Sequence, residues 1–146
     1  MSIKRAVLAM GLAMSISGAA WAGPATTGLG QAWPNASDVS VNPNFHAYVF
    51  VMGGIQYIQI NDAAGHVLGA VGQAGGQYIV LPVGRYARQV STPQQTATTT
   101  ATPTASSMTV YNDGTTQVTA TPMSDGTTAL TTSAACDPVD CNSRGP

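Results

Sequence analysis

Two histidines, His46 and His66, and six aspartates, Asp38, Asp62, Asp113, Asp125, Asp137 and Asp140, are the side chains from which acid–base or metal chemistry would have to be built. The 146 residues contain no glutamate. A nucleophilic mechanism needs a Ser or Cys presented beside a base, yet no G-x-S-x-G elbow occurs and neither histidine neighbours such a pattern. Paired carboxylates for glycoside chemistry fare no better, because all six aspartates fall in segments read as turns, lead-in or tail, where Asp is an ordinary turn former. The glycines at 69, 72, 75 and 76 lack the lysine and the following helix that a phosphate cradle requires. The expectation is a protein that is not an enzyme, with no catalytic residue and no cofactor.

Metal ligation is the one site chemistry with candidate residues. His46 and His66, with Met52, Met108 and Met123, are borderline or soft donors of the kind that suit copper. If Asn61 pairs with His66, both histidines share one sheet face, their backbones roughly 10 Å apart across two strand spacings. That is wide for shared ligation, and a one-residue slip would put them on opposite faces. Exposed strand-end histidines are the competing reading.

The compartment bears on the two cysteines. Lys4 and Arg5 form a basic n-region, Ala6 to Ile16 an apolar h-region, and Ala20-Trp21-Ala22 a small-x-small site, so residues 1–22 read as a signal peptide cleaved after Ala22. The apolar run is interrupted by Gly11, Ser15, Ser17 and Gly18, too short for a spanning helix, and no transmembrane segment is expected after cleavage. Export to the periplasm or beyond would make a disulfide between Cys136 and Cys141 the expected state. Its short loop contributes about 2 kcal/mol or less.

Cleavage leaves Arg85, Arg88 and Arg144 as the basic residues against six acids. So few cations cannot release enough counterions for a nucleic-acid partner, nor form a basic membrane patch. Asn35-Ala36-Ser37 matches an N-glycosylation acceptor, which matters only in a host that glycosylates there.

Three zones must position these groups. Residues 23–44 are an irregular lead-in, rich in Gly, Pro, Ser and Asn, with Trp33 as an anchor that could dock on the domain. Residues 45–90 form the β-domain and hold most of the large apolar groups. Residues 91–146 are a Thr/Ser/Ala/Pro-rich low-complexity extension ending in the C-x4-C pair, with too few large apolar residues for a core of its own. The middle zone predicts a mainly β fold, a small antiparallel meander with strands at Phe45 to Met52, Ile55 to Asn61, His66 to Val71 and Gln77 to Pro82, and Tyr86 to Val90 as a fifth. Met108 to Tyr111, Thr115 to Thr121 and Thr127 to Thr132 are weaker strand candidates in an extension that is either disordered or hairpin-forming, with disorder favoured for Ser91 to Ser107.

A two-residue turn at Gly53-Gly54 would oppose Met52 to Ile55, Val49 to Ile58, Ala47 to Ile60 and Phe50 to Tyr57. Both faces are then apolar, with Tyr48, Phe50, Tyr57, Leu68, Ile79 and Leu81 opposite the Val/Ile face. Such a sheet needs cover on both sides, from the lead-in, the Thr-rich zone or another molecule. The functional expectation is a small exported β-domain that acts by binding or by envelope or surface association, with an unknown protein or envelope partner. A self-assembling structural surface protein is the alternative, because Gln/Asn-bearing strands such as Ile55 to Asn61 and edges without lysine do little to prevent self-association. A weak periplasmic copper binder is the second.

Overall fold

The computed structural model describes residues 26–135, so the signal segment and Cys136 with Cys141 lie outside the described residues. Eight strands form two four-stranded sheets. The first is an antiparallel meander of β1 (Phe45–Met52), β2 (Ile55–Asp62), β3 (Val67–Ala74) and β4 (Gln77–Val80), in that spatial order. Its two tight hairpins use the same chemistry: Gly53-Gly54 has φ of 58° and 79°, Gly75-Gly76 has 56° and 78°, and successive positive φ values are the demand of a type I′ turn. The register of β1 on β2 is the expected one, Met52 against Ile55 through Ala47 against Ile60.

The second hairpin departs from expectation. Asp62 Oδ1 accepts the N–H groups of Ala64 and His66, and Asp62 N–H donates to the His66 carbonyl, so the turn consumes His66 and β3 starts at Val67. Asn61 then faces Val67, Ile60 faces Gly69, and the bulge leaves Leu68 as the extra residue. Leu68 consequently belongs to the buried core instead of the Tyr48/Phe50 face. Tyr86 to Val90 is likewise not a strand: Ala87–Gln89 is a 3₁₀ turn, and only Val90–Ser91 (β5) pairs.

The Thr-rich zone builds the second sheet from β5, β6 (Met108–Asn112), β7 (Thr116–Pro122) and β8 (Thr128–Ala134), in the order β5-β8-β7-β6, with β5 parallel to β8 and the rest antiparallel. The repeated Asp-Gly-Thr-Thr sequence supplies its two turns. Asp113 Oδ1 accepts from Thr115 and Thr116, and Asp125 Oδ1 from Thr127, each an Asx-type closure. On β7 burial alternates, with Thr116, Val118 and Ala120 inward. Val118 and Ala120 join Val90, Val110, Tyr111 and Leu130 in one hydrophobic cluster with Ala47, Ile58, Ile60, Leu68 and Val71 of the first sheet. The extension thus needs no core of its own, because its few large apolar groups complete the core that the meander leaves open. Between β5 and β6 the chain is irregular yet pinned, with Thr98 N–H on the Arg88 carbonyl, Ser124 N–H on Thr102 and Thr104 N–H on Pro122.

The lead-in covers the opposite face. Residues 27–35 close on themselves through paired bonds between Thr27 and Asn35, and the chain then crosses the β1 edge, where Val39 N–H donates to the Ala47 carbonyl, before Val41 N–H reaches the Val110 carbonyl of the second sheet. This strap leaves less of the β1 edge open to another strand. No described helix is long and apolar enough to cross a membrane.

Candidate functional site

Gln59 and Asn61 sit side by side on the outward face of β2, both completely buried. A buried amide must find partners for its oxygen and both its N–H groups. Gln59 Oε1 accepts the Gly30 N–H at 2.6 Å, while its Nε2 donates to the Gln31 carbonyl at 2.8 Å and to Asn61 Oδ1 at 2.9 Å. Asn61 Nδ2 in turn donates to the carbonyls of Ala32 at 2.6 Å and Gly65 at 3.2 Å. Every polar atom of the pair is used, and three consecutive lead-in residues are clamped to the sheet.

The clamp determines where the next residue, Trp33, stands. Its indole meets the His46 ring edge to face, with centroids 5.3 Å apart, and lies over Gly65, where an added Cβ would come within 2.5 Å of Cζ2. His46 stacks in turn on Tyr48 at 6.3 Å. Trp33 nevertheless remains 61 % exposed. The expected docking tryptophan therefore packs on His46 and Gly65 and leaves most of its surface in solvent.

Each histidine has its own aspartate. His46 Nδ1 lies 2.7 Å from Asp38 Oδ2, and His66 Nδ1 lies 2.9 Å from Asp62 Oδ2. Partial burial pushes the Asp38 carboxyl up, but the N–H groups of Ala47 and Ser40 and the His46 ring together outweigh it and hold it at about 2. In Asp62, too, burial acts upward and is outweighed, here by the His66 ring and backbone and the Ala64 N–H, so the carboxyl stays below its ordinary range. An ionised carboxylate only accepts, so Nδ1 of each ring is the donor and Nε2 faces away from its aspartate. Tyr48 is pushed up by burial and by the Asp38 charge.

Trp33 thus touches His46 of one pair and the turn that carries the other. The remaining donors considered for a metal do not join them. Met52 is at the far end of β1, roughly 20 Å of strand from His46, and Met108 and Met123 belong to the second sheet and the turn after β7. Among the described residues no group of three or more His, Cys, Asp or Glu side chains could hold a metal ion. Asp113 and Asp125 serve the turns already described, Arg85 and Arg88 are exposed in the β4 to β5 connection, and Asp137, Asp140 and both cysteines lie outside the described residues.

Sequence reasoning missed the clamp. Its signal was present, since two amides on one face of a central strand, beside Tyr57 on that same face, need backbone partners from a covering segment. The Gln/Asn content of β2, read as an aggregation risk, is at positions 59 and 61 consumed by the protein's own lead-in. Comparison with protein-family models, with curated proteins and with solved structures found no match to this chain.

Proposed function

We propose that this chain is an exported, non-catalytic β-sandwich protein that works by contact, associating with the cell envelope or surface through the face built around Trp33. One observation carries the reading: a fully satisfied, buried amide pair fixes the backbone at residues 30–32, and the residue it delivers is a largely exposed tryptophan. Exposing an indole that could have been buried forgoes about 2 kcal/mol of apolar burial, which is consistent with a surface kept for a partner. Aromatic anchors of this kind dominate contact energetics elsewhere.

Mixing purified protein with isolated envelope material and sedimenting it tests the reading. Wild type should co-sediment, and Trp33→Ala should stay in the supernatant with an unchanged thermal midpoint. Equal sedimentation of the two proteins would sink the Trp33 surface as the contact. N-terminal sequencing of the exported protein should begin at Gly23.

A further inference from the structure

We infer that the Trp33 surface binds an uncharged glycan, with the indole as a stacking platform and the two His–Asp pairs as hydrogen-bonding flanks. The inference rests on the reading of Trp33 as the contact residue and names the chemistry it meets. A pyranose ring presents a patch of weakly positive C–H groups on one face and hydroxyls around its rim. The negative face of an indole matches the first. The second needs groups that accept from its O–H donors, and with Nδ1 turned to the carboxylate each His–Asp pair presents Nε2 and carboxylate lone pairs side by side.

The geometry supplies both. The side chains of His46 and Asp38 are 25 % and 37 % exposed, and those of His66 and Asp62 are 45 % and 34 % exposed, so each pair is partly in solvent and reachable by a ligand. All four are already held. Asp38 is bonded by Ala47 and Ser40, Asp62 by Ala64 and His66, and Trp33 is held by the clamp and by Gly65. Groups fixed before the ligand arrives lose little entropy on binding.

Charge narrows the ligand. The two carboxylates belong to groups the indole touches, Asp38 through His46 and Asp62 through the turn that carries Gly65, while the described arginines, Arg85 and Arg88, lie in the β4 to β5 connection. Uronic or sulfated chains would therefore be repelled. A single exposed tryptophan on an open surface suits the side of a polymer chain more than an enclosed end.

Trp33 can be made the sole fluorophore of its kind by Trp21→Phe in the full chain, since position 21 holds the other tryptophan. Titrating this protein with the hexamers of β-1,4-linked glucose and of β-1,4-linked N-acetylglucosamine should produce a saturable change in Trp33 emission with one of them. Trp33→Ala, followed by calorimetry, should abolish the binding, and Asp62→Asn should weaken it about tenfold. Polygalacturonate should give no saturation. If neither neutral hexamer saturates up to about 10 mM, the glycan inference is overturned. Saturation by tetramethylammonium in their place would also overturn it, assigning the aromatic and carboxylate groups to a cation. The envelope sedimentation keeps the two levels separate: continued dependence on Trp33 there, with the hexamers silent, removes the glycan and leaves the contact surface.

Discussion

Thr132 and Asn61 illustrate opposite fates of a buried polar side chain. Thr132 Oγ1 has no hydrogen-bond partner and lines a gap between the sheets, with Ile58, Val71, Val118 and Leu130, that has no room for a water molecule. Thr132→Val removes a desolvated hydroxyl at nearly constant shape and should raise stability by up to about 1 kcal/mol in urea unfolding. Asn61→Ala does the reverse, leaving the Ala32 and Gly65 carbonyls and one Gln59 N–H without partners, and should cost about 1 to 3 kcal/mol. Hydrogen exchange of the Gly30 amide in that variant should quicken, because the clamp loses one of its three bonds to the lead-in and Gln59 loses its Asn61 partner. Asp38 gives a pH dependence of known sign. Its carboxyl is held at about 2 in the folded chain against 3.8 ordinarily, so its stabilisation is complete above about pH 4 and is lost as pH falls toward 2. With the side chain 37 % exposed, solvent screening reduces the contribution to about 1 kcal/mol. Unfolding midpoints at pH 6 and pH 2.5 should differ less in Asp38→Asn than in wild type.

The turns and bulges carry information that strand patterns do not. Gly65 has φ of +88° and lies beneath the indole, so Gly65→Ala is strained twice over and should displace Trp33 while sparing the core. A shift in Trp33 emission with near-unchanged far-ultraviolet circular dichroism is the expected result. Gly69→Ala tests the other face, where the new methyl would lie 2.6 Å from Val90 Cγ2 and 3.1 Å from Leu130 Cδ1, and should cost about 1 to 3 kcal/mol by overpacking. The β1 to β2 register was legible because Gly53-Gly54 fixes a two-residue turn and the alternation does the rest. The β2 to β3 register was not, because the choice between His66 and Val67 as the first paired residue depends on bonds from Asp62 that no periodicity reports. Trp33 stood out as an anchor, but its exposure depends on Gln59 and Asn61, whose partners come from a segment about thirty residues earlier.

Across the molecule, three segments of very different composition make one core. The meander offers two apolar faces, the Thr-rich segment covers one through Val110, Val118, Ala120 and Leu130, and the lead-in covers part of the other. Removing residues 91–146 should therefore unfold the protein or drive it to aggregate, because Ala47, Ile58, Ile60 and Val71 would lose their cover; a folded, monomeric remainder by sedimentation velocity would contradict a shared core. The same architecture explains how a chain with so few charges can present a defined surface, since the strap and clamp give Trp33 a rigid seat on a sheet. Acrylamide quenching of Trp33 in the Trp21→Phe protein, with and without envelope material, probes that arrangement most directly. Strong quenching in the free protein and marked protection once it is bound are expected. Equal quenching in the two states, with the protein demonstrably bound, would place the contact on another face.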